Sequence, residues 1–224
     1  MHEPLILPPG KAALLLIDMQ EEHRIDGRYL VDGYDAVAAH CARLLAAART
    51  AGMTVLHSIY LVETAARPFH PVGANGRSAF SDAGAPGSEI SPELAPLPGE
   101  QVIVKRDASC FTASELDAAI TSAGIEWLIV TGCWSEACVA ATVKDGVERG
   151  MRILLVKDAC GSGSRAMHET AVLNMANRIY GGAVADTARA LALIGGGSAQ
   201  VWRTDRPVPI RFTYDSASAE YAAL

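Results

Sequence analysis

The sequence has no apolar run near the ~18 residues that a membrane-spanning helix requires, and no basic segment followed by an apolar core at its start. No membrane span and no secretory signal are therefore expected. Its five cysteines are odd in number and nowhere spaced CxxC. That argues against a disulfide framework and for free thiols in a reducing compartment, so a cytoplasmic location is expected. Lys and Arg number 19 against 25 Asp and Glu, for a net charge of −6, and they are scattered rather than clustered. A nucleic-acid surface is not expected from that distribution. There is no internal repeat and no low-complexity stretch. The Gly/Ser turn Ala159-Cys-Gly-Ser-Gly-Ser164 lacks the full GxGxxG or Walker spacing, which argues against a nucleotide site.

What remains is 224 residues, half of them hydrophobic, enough for one substantial core and one domain. Continuous apolar runs, as expected of strands buried on both faces, alternate with helical patterns. Strands are expected at Ala12–Asp18, Met53–Ser58, Val102–Val104, Glu126–Thr131, Met151–Asp158 and Gly182–Ala185. Helices are expected at Asp35–Ala51, Ser114–Ala123, from near Cys138 to Arg149, at Arg165–Tyr180 and at Asp186–Ile194. This β-α alternation predicts an α/β fold: three αβα layers around a six-stranded, mostly parallel sheet. Residues 1–11 are read as a surface wrap, 1–197 as the domain and 198–224 as a tail. The tail is too apolar to stay in water, so it packs on its own domain or on a neighbouring subunit. Residues 60–100 hold more than half of the eleven prolines and read as one long functional loop, with Glu63, Arg67, His70, Asn75 and Arg77 as possible substrate contacts.

Three strands end in chemically capable residues. Asp18 closes the first, Lys105 follows the third, and Cys138 follows the fourth across a Gly-containing turn. In a parallel sheet those carboxyl ends share one edge, where open α/β sheets place their ligands. Ser135 reads as an N-cap with Glu136 in the first turn, placing Cys138 among converging N–H groups that favour a thiolate. A carboxylate beside a thiol can take its proton, and a lysine supports both charges. Base, cation and thiol form a nucleophilic set that needs no histidine, no metal and no cofactor. Asp158 reads as a cap of the Gly/Ser turn that follows it.

These motifs carry a resemblance. Ala13-Leu-Leu-Leu-Ile-Asp18-Met-Gln20, Val104-Lys105-Arg-Asp-Ala-Ser109-Cys-Phe111 and Val130-Thr-Gly-Cys-Trp-Ser-Glu-Ala-Cys138-Val resemble, in order and spacing, the isochorismatase-like cysteine hydrolases. That family includes nicotinamidases, N-carbamoylsarcosine amidases, biuret hydrolases and ureidoacrylate amidohydrolases. The resemblance runs from about Lys11 to Ile194. It implies strand order 3-2-1-4-5-6 and a catalytic triad of Asp18, Lys105 and Cys138. Cys138 would attack an amide carbonyl, Asp18 would move the proton, and water would resolve the thioester. It also implies a cis peptide at Cys133–Trp134, with the N–H groups of Trp134 and Cys138 forming an oxyanion hole. Gln20 and Trp134, as neighbours of catalytic positions, are expected to line the pocket. Arg67, Arg77 and Arg106 have the chemistry to pair with a substrate carboxylate and equally that of surface charges. The family is commonly oligomeric, so a homo-oligomer, dimer or tetramer, is expected, with Trp202–Tyr214 as an arm on the partner subunit.

Two departures narrow the reading. The family's frequent aromatic residue after Asp-x-Gln is His23 here. The metal-binding Asp-x-His of nicotinamidases is absent, and Tyr60-Leu-Val-Glu63 stands in its region. That argues against zinc and against nicotinamide. The sequence thus predicts a cysteine amidohydrolase acting on a small linear amide or ureido compound. The alternatives are an isochorismatase-type vinyl-ether hydrolase with Asp18 as general acid, and a non-catalytic interaction protein on this fold.

Overall fold

The computed structural model describes the backbone of residues 1–224 and every side chain except that of Ala66. The strands are β1 (His2–Leu5), β2 (Ala12–Ile17), β3 (Thr54–Tyr60), β4 (Gln101–Lys105), β5 (Trp127–Cys133), β6 (Arg152–Gly161), β7 (Ala183–Ala185) and β8 (Ala199–Trp202). The helices are α1 (Glu22–Ile25), α2 (Tyr34–Thr50), α3 (Ser114–Ala123), α4 (Ala140–Glu148), α5 (Arg165–Ala176), α6 (Thr187–Ile194) and α7 (Ala217–Ala222). Among the described residues, no helix is long and apolar enough to cross a membrane.

The middle of the sheet follows directly from the sequence. Every residue of β2 is buried, because a central parallel strand is covered on both faces. Its side chains alternate. Ala13, Leu15 and Ile17 pack with Leu116, Val143 and Val172 on one face, and Leu14 and Leu16 pack with Leu44, Leu45 and Leu193 on the other. Helices α3, α4 and α5 thus cover one face, and α2 and α6 the other.

The sheet has eight strands, not six, in the order β1-β8-β7-β6-β5-β2-β3-β4. The full order therefore differs from the one expected. Parallel pairing spans β7-β6-β5-β2-β3-β4. Two antiparallel strands then extend the β7 edge, β8 on β7 and β1 on β8. Both came from segments read as irregular. Residues 1–11 were expected to wrap the surface, yet His2 pairs with Trp202 and Leu5 with Ala199. Neither strand exceeds four residues, too short for alternation to be read. The rest of the tail lies on its own chain. Asn177 and Ile210 exchange two hydrogen bonds, Nδ2 to O and N to Oδ1, both 2.9 Å, and Leu224 is buried. Asp158 does not cap the turn after it. It lies inside β6, and its Oδ1 accepts from the Thr187 N–H (2.7 Å) and Oγ–H (2.8 Å) at the start of α6.

Candidate active site

Asp18 follows β2 directly. Its φ of +50° lies in the left-handed region, which Asp tolerates better than most residues. Its N–H donates to Ser58 O on β3 (3.1 Å), and Ser58 Oγ donates to Asp18 Oδ1 (2.8 Å). The other carboxylate oxygen, Oδ2, lies 2.7 Å from Lys105 Nζ. Lys105 ends β4, and its ammonium has three partners: Asp18 Oδ2, Cys138 Sγ at 3.3 Å and Asp107 O at 3.2 Å. It donates hydrogen bonds to the last two and forms an ion pair with Asp18 Oδ2. The Tyr60 ring lies 4.7 Å away, facing the charge. Burial alone would strip that charge, but the Asp18 carboxylate more than offsets it and holds Lys105 above the ordinary lysine range. Asp18, Lys105 and Cys138 are 2%, 1% and 8% exposed, so this is an interior cluster rather than a surface ion pair.

Gly132, at the end of β5, lets the cluster close. Its φ is +113°, and a Cβ there would sit 2.1 Å from Ile17 O, so no side chain fits between β5 and β2. The Cys133–Trp134 peptide is cis. A wide turn, Ser135–Val139, then leads into α4, with Val139 N–H donating to Trp134 O (3.1 Å). The regular helix thus begins at Ala140, after Cys138. Ser135 is not its cap: its hydroxyl bonds Gly161 O and His168 instead. The expected thiolate preference is also corrected. Burial, then the Asp18 charge, pushes the Cys138 thiol above its ordinary value, and Lys105 offsets only part of this. The resting sulfur carries its proton because burial and the neighbouring Asp18 charge both disfavour a thiolate.

Aromatic residues wall the cluster. Tyr29 stacks on Trp134 with centroids 4.7 Å apart, and on Phe80 at 4.5 Å. His23 is buried against Trp134, whose Nε1–H donates to His23 Nδ1 (3.4 Å). Burial pushes His23 down to about 4, so its ring is neutral at neutral pH. Gln20 is fully buried. Its amide donates to Tyr60 O (3.2 Å) and Ser88 O (2.9 Å) and accepts from Tyr60 N (2.8 Å). It braces the long loop against β3. Arg106 pairs with Glu63, Arg67 with Asp107, and Arg77 with Asp82. His70 bonds Ser78 (2.5 Å), and Asn75 Oδ1 accepts from the Arg77 N–H (3.1 Å). The loop's polar residues thus hold one another. Among the described residues, no group of three or more His, Cys, Asp or Glu is placed to hold a metal ion.

Sequence reasoning missed Ser58, Tyr29, Tyr60 and Phe80. Ser58 and Tyr60 were findable, since β3 reaches the same edge as the strands carrying Asp18 and Lys105. Tyr29 and Phe80 come from loops and leave no periodic signal.

An interior carboxylate–ammonium–thiol cluster at the carboxyl edge of a mostly parallel α/β sheet defines the class. Residues 12–189 match the isochorismatase domain, and the chain belongs to that family. It is 28% identical over 211 residues to the ureidoacrylate amidohydrolase RutB of Variovorax paradoxus, covering 77% of this chain and 78% of that one. It is 28% identical over 177 residues to the maleamate amidohydrolase of Pseudomonas putida, covering 78% and 83%. A cysteine hydrolase from Pseudomonas syringae pv. phaseolicola has the same fold, with a TM-score of 0.75 over 85% of this chain and 95% of that one, at 22% identity.

Proposed function

We propose that this protein is a cysteine-dependent amidohydrolase cleaving a C–N bond of a small linear amide or ureido compound. The observation that carries the reading is Lys105 Nζ, 2.7 Å from Asp18 Oδ2 and 3.3 Å from Cys138 Sγ, with all three residues buried. The relatives named for amide hydrolysis support the same reaction class.

In this reading Asp18 takes the thiol proton as sulfur attacks the carbonyl carbon. Lys105 stays charged and compensates the sulfur as it becomes anionic. The backbone N–H groups of Trp134 and Cys138 receive the oxyanion. Asp18 then gives its proton to the leaving nitrogen as the C–N bond breaks, leaving a thioester on Cys138. A water, deprotonated by Asp18, attacks the thioester. The acid leaves, and the sulfur regains the proton. The raised thiol value suits this order: the proton moves during attack rather than before it.

The test is ammonia release from biuret, ureidoacrylate, N-carbamoyl amino acids, maleamate and nicotinamide, with wild type beside Cys138→Ala and Asp18→Asn. Release from at least one compound is expected, with both variants at least ~10³-fold slower because the triad acts as a unit. Undiminished ammonia release by Cys138→Ala would overturn the thiol mechanism, and no release from any of these compounds together with an inert Cys138 would favour acid catalysis by Asp18 on a vinyl ether.

A further inference from the structure

The turn that carries Cys138 is wired to the last helix of the chain, which lies beyond the residues 12–189 that match the family. Ser135 Oγ is 3.0 Å from Gly161 O and 2.7 Å from His168 Nδ1. His168 Nε2 is 3.1 Å from the Tyr221 hydroxyl on α7. The proton positions follow from the chemistry. A carbonyl only accepts, so the single Ser135 proton goes to Gly161 O. Ser135 Oγ must then accept from His168, which places the ring proton on Nδ1. Burial favours the neutral ring, which leaves Nε2 as a lone pair facing the Tyr221 hydroxyl. That hydroxyl has two acceptors in reach, His168 Nε2 at 3.1 Å and Lys157 O at 3.5 Å, and the shorter contact is to His168. The contacts thus run from Tyr221 to His168 to Ser135 to Gly161.

Its far end is anchored. Lys157 Nζ donates to Tyr221 O (2.8 Å) and lies 4.8 Å from the Tyr221 ring centre. Ser218 bonds Glu169 on α5. Its near end is Ser135, with no solvent exposure, between Trp134 and the residues leading to Cys138.

We propose that Tyr221 and His168 are positioning residues that fix Ser135 at the head of the turn, so that α7 holds the Cys138 thiol in its reactive place. The inference rests on the reading of Cys138 as a nucleophile. Neither residue touches the reacting atoms; both act through Ser135.

The experiment reads Cys138 directly. Alkylation by iodoacetamide at mildly alkaline pH is followed by mass spectrometry of the Cys138 peptide. Wild type, Tyr221→Phe, His168→Leu and His168→Asn are compared, with folding checked by circular dichroism. Tyr221→Phe should slow alkylation about three- to tenfold, the effect of one lost, partly buried hydrogen bond. With a substrate in hand, kcat should fall by the same factor while KM holds. His168→Leu should slow alkylation at least as much. His168→Asn keeps an N–H donor for Ser135 and should recover most of the lost rate, and adding Tyr221→Phe to it should change little. A folded Tyr221→Phe with the wild-type rate overturns the proposal. So does His168→Asn being as slow as His168→Leu, which decides the matter if Tyr221→Phe does not fold. A wild-type Cys138 no faster than the four other buried cysteines sinks both this inference and the nucleophile. A fast Cys138 with no amide turned over sinks only the reaction class, and the relay is still decided by the alkylation rates.

Discussion

The Asp18–Lys105 pair should be indispensable to the fold when one half is removed and dispensable when both are. The charged atoms lie 2.7 Å apart, with side chains 3% and 0% exposed. At an effective dielectric of about 20, their attraction is about 6 kcal/mol. Taking each ion out of water costs several kcal/mol, so the net gain from the intact pair is near zero. The asymmetry appears on mutation. Lys105→Met leaves a buried carboxylate with only the Ser58 hydroxyl, and Asp18→Asn leaves a buried ammonium facing a protonated thiol. Each should lose about 3–5 kcal/mol, a large share of the ~5–15 kcal/mol that holds a domain together. The double variant Asp18→Asn/Lys105→Met buries no charge and should lie within about 1 kcal/mol of wild type, a coupling far larger than independent sites show. Urea unfolding of the four proteins, followed by circular dichroism, measures this. A double variant that loses the sum of the two singles would refute the argument, because it would show that each residue stabilises the fold separately. A double variant that is stable but inactive would show that the pair is kept for chemistry.

Three further outcomes are expected. Gly132→Ala would press a methyl group onto the Ile17 backbone at a φ that L residues avoid, so it should lose about 2–5 kcal/mol in a melting experiment. A variant within 0.5 kcal/mol of wild type, roughly the scatter of neutral surface changes, would contradict that contact. His23 takes a proton at about 4 in the folded chain and at its ordinary 6.5 when unfolded, so its contribution is complete above 6.5 and lost as pH falls towards 4. That loss is about 3 kcal/mol. Burial lowers His57 and His168 in the same direction, whereas Glu22, raised by burial, works the other way. A urea midpoint unchanged between neutral pH and pH 5 would exclude a buried neutral His23. Arg106→Gln removes a cation already paired with Glu63 on the surface, so KM should change less than about twofold; a rise of tenfold or more would make Arg106 a substrate ligand.

The middle of the parallel sheet was legible because β2 and β5 are buried on both faces and read as unbroken apolar runs. The site was legible because Asp18, Lys105 and Cys138 each follow such a run, so one topological rule brings them to one edge. The edge strands β1 and β8 were not, because four residues are too few to show a period and both lie among prolines or glycines. Ser135 was misread because Ser before a helix usually caps it, whereas here the turn is wide and His168, 33 residues on, takes the hydroxyl. The charge state of Cys138 was misread for a related reason. Local sequence shows the N–H groups of a turn, but the burial that raises the thiol, and the Asp18 carboxylate that adds to it from a strand 120 residues away, come from the fold.

The pairing of β1 with β8 has a consequence during synthesis. Met1 and Arg203 exchange backbone hydrogen bonds, N–H to O at 2.9 and 2.8 Å, across 202 residues of chain. At ~5–20 residues per second, the partner of β1 emerges some 10–40 s after β1 itself. Throughout that interval β1 has no strand to pair with, since β8 is its one partner in the sheet. The order of synthesis thus separates β1 from its place in the sheet by the whole parallel part of the fold.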